Sequence, residues 1–228
     1  MTILTVDGRA CRVTGDPARA ETLFLQPVAE EEREEENPFL PKEPGEALVT
    51  FPVDWNRELP PWPAPAVFRG APDFGGGAAE TLAFVTDGLL PALAAAGARP
   101  ARVFLGGYSL AGLFALWAGY ACGRFDGVAA VSPSVWYPGW SDWAERHPFR
   151  CPAAYLSLGD AEEKTRHPVM RTVGDAIRLQ HARLEAAGIR TTLRWNPGNH
   201  FRDPGPRTAA GFAWLAERGA PDVPTVTP

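Results

Sequence analysis

The chain of 228 residues is 45% hydrophobic and 21% charged, which allows one well-buried core of ordinary globular composition. A formal net charge of −5 argues against a nucleic-acid partner, and no apolar run approaches the length of a membrane span. The N-terminus lacks the basic-then-apolar form of a secretion signal, and Cys11, Cys122 and Cys151 follow no disulfide or metal pattern, so the expectation is a single domain over residues 1–228, cytoplasmic, with no metal or cofactor.

Ile3–Val6 and Ala10–Val13 read as short strands joined by Asp7-Gly8, a hairpin turn signal. Thr22–Val28 is apolar and ends in a turn. Ala29–Glu36 then carries six Glu and one Arg in eight residues, a density of like charge that predicts a solvated acidic loop near 29–46. Ala47–Val53 is a further apolar run, and the Pro-rich stretch Trp55–Pro72 reads as loop throughout. Ala78–Ala96 has Leu82, Val85, Leu89, Leu90 and Leu93 near helical spacing, with Pro91 expected to kink the helix and Gly97 to end it.

From there strands and helices alternate. Arg102–Gly106, Gly127–Ser132, Ala153–Leu158 and Thr191–Trp195 read as strands; Leu110–Ala121, Val173–Ala187 and Arg207–Glu217 read as helices. In the first of these helices Leu110, Leu113, Phe114 and Trp117 form one buried stripe. Short apolar strands separated by helices imply an α/β fold, its mostly parallel sheet covered by helices on both faces. Ligands of such sheets sit at the carboxyl ends of the strands.

That is where the sharpest motif falls. Gly107-Tyr108-Ser109-Leu110-Ala111-Gly112 lies between a strand and a helix, the setting of a nucleophile elbow. The turn brings the residues two before and two after the Ser together, and both are small, Gly107 and Ala111. It also sets Ser109 at a helix N-terminus, where the Leu110 amide can face a developing oxyanion. A Ser hydroxyl needs a base held by an acid. Of four histidines, His181 falls on an apolar helix stripe with Ile177 and Leu184, and His147 and His167 precede Pro in loops. His200 follows the last strand and precedes the last helix, where a base can reach the elbow. For the acid, Asp160, Glu162 and Glu163 compete in the loop after Ala153–Leu158; Glu162, three residues beyond Gly159, is preferred and Asp160 is the runner-up.

The strand order, the Ser109 elbow, the Gly159–Lys164 loop and Gly198-Asn199-His200-Phe201 together resemble the putative-esterase family of α/β-hydrolases, which includes esterase D and the enterochelin and salmochelin esterases. The resemblance runs from about Thr22 to Glu217, in a compact variant of the fold. It implies that Trp136, in Ser132-Pro133-Ser134-Val135-Trp136, lines the active site, and that Arg57, in Asn56-Arg57-Glu58-Leu59-Pro60, faces the substrate. It also implies a second oxyanion amide just after Thr22–Leu25. Pro27 has no N–H, so Gln26 or Val28 would supply it. The expected function is hydrolysis of a small-molecule carboxylic ester through an acyl-enzyme, with Trp136, Trp55 and Arg57 as a substrate wall suited to an aromatic or acidic ester. The rivals are an acyltransferase or thioesterase with the same triad, and a non-catalytic binding protein on the same fold.

Overall fold

The computed structural model describes residues 1–29, 45–67 and 69–217, so the acidic run expected near 29–46 lies almost wholly outside the described residues. Strands β1 (Thr2–Val6) and β2 (Arg9–Gly15) pair in antiparallel register about Asp7 and Gly8, which take φ of 48° and 79°. Positive φ at both central residues is what a two-residue hairpin of right-handed twist requires. Next come β3 (Thr22–Ala29) and β4 (Glu46–Val53), parallel neighbours.

Residues 55–72 are not loop throughout, contrary to the expectation from their prolines. Asp54 caps a single helical turn, α1 (Trp55–Glu58), by accepting from the Arg57 amide at 3.1 Å. Strand β5 (Pro63–Ala64) then pairs with β6 (Phe74–Gly75) as a separate two-stranded ribbon. Gly75 lets this ribbon press onto α1, since a Cβ there would stand 2.8 Å from the Arg57 carbonyl oxygen.

The helix over Ala78–Ala95 changes its winding before Pro91. It is α-helical in α2 (Ala78–Ala83), π-helical over Phe84–Leu89, and α-helical again in α3 (Leu90–Ala95). Leu90 donates to the Val85 carbonyl, a wide i→i−5 bond placed one residue ahead of the proline that has no N–H to give. The expected kink therefore takes the form of a widened turn. Gly97, at φ 99°, closes the helix as expected, with Gly97 N–H bonding Ala94 and Ala98 N–H bonding Leu93. At 18 residues and a mean hydropathy of 1.3, this helix does reach the length of a membrane span, which the sequence reading missed. Val85, Leu89 and Leu93 nevertheless pack fully into the protein core.

The remaining strands and α-helices are β7 (Arg102–Tyr108), α4 (Leu110–Ala121), β8 (Gly127–Val131), α5 (Trp140–Glu145), β9 (Ala153–Gly159), α6 (Val173–Ala186), β10 (Arg190–Asn196) and α7 (Pro204–Ala216). Eight strands form one sheet in the order β1-β2-β4-β3-β7-β8-β9-β10, parallel from β4 to β10 and antiparallel at the β1 and β2 edge. Alternate residues face opposite sides. Leu23, Leu25, Leu105, Val128, Ala130 and Leu156 join one core with α4, while Phe24, Phe104, Ala129, Val131 and Tyr155 meet α7 on the other face. Helix α4 is buried from Leu110 to Tyr120 on every side, so the single stripe expected of it understates its burial.

Among the described residues α7 alone covers the second face, and Phe212 is its fully buried centre, tilted against Phe24 with ring centroids 5.0 Å apart. Phe212→Ala is expected to cost about 3–5 kcal/mol, read as a lower urea midpoint at unchanged slope.

Candidate active site

Strand β7 ends at Tyr108 and α4 begins at Leu110, so Ser109 must turn the chain through a single residue. It does so at φ 57° and ψ −119°, a conformation that costs a non-glycine residue roughly 1–3 kcal/mol. Backbone bonds hold it there: Ser109 N–H donates to Val131 at 3.0 Å, and the Ser109 carbonyl accepts from Leu113 at 3.0 Å and Ser134 at 3.1 Å. The expected crowding across the turn is present. A Cβ on Gly107 would lie 2.5 Å from the Ala111 Cβ, so residue 107 must be glycine while alanine fits at 111.

His200 follows β10 and overhangs this turn, its Nε2 lying 3.1 Å from Ser109 Oγ. Its Nδ1 lies 2.7 Å from Glu162 Oε2. A carboxylate only accepts, so Nδ1 carries the proton and Nε2 is left to accept from the serine hydroxyl. The other Glu162 oxygen, Oε1, accepts from the Gly159 amide at 2.7 Å and the Ser132 hydroxyl at 2.8 Å, with Arg207 Nη1 at 3.5 Å. Burial pushes the Glu162 carboxyl up. The hydrogen bond and charge of His200, then the Gly159 amide and the Ser132 hydroxyl, outweigh that and hold it below the usual carboxylate range.

The other candidates in this loop are engaged elsewhere. Asp160 accepts from the Gly198 amide at 2.8 Å and so braces the backbone of the His200 loop rather than its ring. Glu163 pairs with both terminal nitrogens of Arg178 at 2.9 Å. His147 stacks on Trp143 at the surface, His167 bonds the Val67 carbonyl, and His181 pairs with Glu185.

Ser109 and Leu110 line a cleft of about 170 Å³, together with Trp55, Asn56, Val67, Phe74 and Trp136 among others. Trp136 and Trp55 both line this cleft. Arg57 does not. Its side chain is 71% exposed, pairs with Asp54 and Glu58, and is absent from the cleft lining, because one step along α1 turns it away while Asn56 faces in. Gln26, like Arg57, is not among the residues lining the described cleft. Strand β3 does not end at Leu25 but runs on through Pro27 to Ala29, and its ladder with β7 stops at Leu25–Leu105. Gln26 thus lies inside β3, one residue past its last rung with β7.

Sequence reasoning missed three contributors. In the sequence Ser132 and Ser134 stand only as neighbours of Trp136, yet the former bonds Glu162 and the latter lies 3.5 Å from Ser109 Oγ. Arg207 stands in the sequence only as the start of a helix. Its signal was a charge in phase with Gly211, Trp214 and Leu215 on the buried side of α7.

The Glu162 environment has a stability signature. A carboxyl held below its usual range stabilises the fold above the unfolded-state value of about 4.3 and loses that contribution as pH falls through the folded-state value. Glu162→Gln should therefore melt below wild type at neutral pH, with the gap closing on acidification below about pH 4; Tm measured from pH 7 to pH 3 checks this.

Residues 44–192 match the family model described as Putative esterase, well over half of the chain. Among solved structures the chain is similar to an IroE-like serine hydrolase from Shewanella oneidensis, with a TM-score of 0.70 and 16% identity over 89% of this chain and 74% of that one. It is also similar to the siderophore hydrolase EstA from Aspergillus nidulans, at 0.64 and 19% over 93% and 91% of the two chains. A third likeness is to the enterobactin esterase FES from Shigella flexneri, at 0.67 and 19% over 94% of this chain and 58% of that one. No curated protein matches the sequence. At such identities the structural likenesses speak for a shared α/β-hydrolase fold, and the family match carries the activity class. The chain belongs to the putative-esterase family and is a carboxylic ester hydrolase.

Proposed function

We propose that the chain is a serine esterase in which Ser109 is the nucleophile, His200 the general base and Glu162 the acid that orients it. One observation carries this reading: the unbroken run Ser109 Oγ, His200 Nε2 and Nδ1, Glu162 Oε2, at 3.1 and 2.7 Å, on the floor of an open cleft. Ser109 Oγ attacks the ester carbonyl carbon while His200 Nε2 takes the hydroxyl proton. The tetrahedral oxyanion faces the Leu110 amide, which opens α4 and has no partner within the helix. As the acyl–oxygen bond breaks, the imidazolium returns the proton to the departing alcohol. Water then attacks the acyl-serine by the same route, releasing the acid and restoring Ser109.

Trp55, Phe74 and Trp136 suit a planar apolar group, and the described cleft lining contains no cation. With Arg57 turned outward, the substrate class is a neutral ester rather than an acidic one. The three cysteines are free thiols, which accords with a reducing, cytoplasmic setting.

Labelling with a fluorophosphonate probe and hydrolysis of p-nitrophenyl acetate test the assignment. Ser109→Ala is expected to abolish labelling and to lower hydrolysis about 10⁴-fold or more, and His200→Ala to do nearly the same. Glu162→Gln should cost about 10²-fold or more, whereas Glu163→Gln should stay near wild type. A folded Ser109→Ala protein that still labels would sink the assignment of the nucleophile.

A further inference from the structure

An arginine side chain 4% exposed has to meet its donors' needs inside the protein, and Arg207 meets them on four groups that all bear on one loop. Nη2 donates to the Pro197 carbonyl at 2.9 Å. Nη1 is shared among the Tyr108 hydroxyl at 3.1 Å, the Asn199 carbonyl at 3.3 Å and Glu162 Oε1 at 3.5 Å. Tyr108 in turn donates to the His200 carbonyl at 2.7 Å, and burial foremost raises its phenol, which keeps that proton in place. The backbone carbonyls of residues 197, 199 and 200 are thereby tied, directly or through Tyr108, to one guanidinium on α7. The same guanidinium sets a positive charge on the far side of Glu162 from the imidazole.

We infer that Arg207 is a positioning residue of the hydrolytic site, fixing the His200 loop through its planar fork and tempering, through its charge, the pull of Glu162 on the His200 ring. The inference rests on the Ser109–His200–Glu162 reading. Only Arg carries donors at an angle that spans these acceptors, whereas a Lys ammonium supplies the charge without the fork. The two roles can therefore be separated. The charged or titratable groups about His200 are Glu162 from the loop after β9, Tyr108 from the end of β7, and Arg207 from α7; Asp160 bonds the Gly198 amide, and Arg202 pairs with Asp203 in the open. Of these only Arg207 is a buried positive charge in contact with Glu162. Its removal leaves the carboxylate less balanced, favours the protonated ring and moves the acid limb of kcat/KM to higher pH.

The test uses the full chain, with p-nitrophenyl acetate profiles from pH 5 to 9, fluorophosphonate labelling of every variant, and Tm as the check of folding. Arg207→Lys is expected to lower kcat about 10- to 100-fold, with KM and the acid limb near wild type. Arg207→Met should lower kcat similarly and shift the acid limb upward by about half a pH unit or more. Tyr108→Phe, which cuts the tie to the His200 carbonyl without removing a charge, should lower kcat and leave the limb in place. A folded Arg207→Lys enzyme with wild-type kcat overturns the inference, as does a folded Arg207→Met enzyme whose limb has not moved. If Arg207→Met does not fold, Arg207→Gln takes its place under the same criterion. Wild-type protein that resists the probe would instead overturn the triad reading, and this inference with it.

Discussion

Taking a carboxylate out of water costs several kcal/mol unless protein donors replace the lost hydration, and Glu162, with its side chain 5% exposed, stands under that constraint. Its donors come from four places in the chain: Ser132 just after β8, Gly159 at the end of β9, His200 in the loop after β10, and Arg207 on α7. Three of these lie at the carboxyl ends of adjacent parallel strands. The strand order is thus what lets one buried charge be satisfied at all. With Oε1 occupied by three donors, Oε2 is left to a single partner, and the imidazole is held in one tautomer and one orientation.

The elbow and the cleft answer to separate constraints. Ser109 keeps a strained backbone because β8, α4 and Ser134 each hold one of its main-chain groups, while Gly107 leaves room for Ala111. The cleft wall is fastened through aromatic contacts. Trp62 Nε1 donates to the Pro138 carbonyl, the Tyr137 hydroxyl donates to the Trp62 carbonyl, and the Phe74 ring lies between Trp136 and Tyr137. The segment carrying Trp55 and Phe74 is so latched to the loop after β8, which places rigid rings rather than mobile chains beside Ser109.

Much of this was legible in the residues. Parallel strands announced themselves as short apolar runs, and the elbow combined small residues with a strand-to-helix boundary that local sequence encodes. His200 followed from its place after the last strand. What escaped depended on contacts remote in sequence. The direction of Arg57 is set by the phase of a single helical turn, too short to show periodicity. The extent of β3 was obscured by Pro27, which can sit in a strand where the ladder on one side has ended. The role of Arg207 escaped because, although its phase in the helix marks it as buried, nothing near it in the chain reveals that its partners stand 8, 10, 45 and 99 positions away.

That separation orders events during synthesis. The elbow and Glu162 leave the ribosome first, with β3, β4, β7 and β8 available to pair behind them. The His200 loop and the helix that both covers the second sheet face and carries Arg207 come later. Until they dock, Ser109 has neither a base nor a second partner face against which its sheet can pack. On the proposed reading, a nascent chain therefore holds an unactivated alcohol rather than a nucleophile. The contacts that would activate Ser109 and the packing of the second sheet face are thus supplied by the same C-terminal segment.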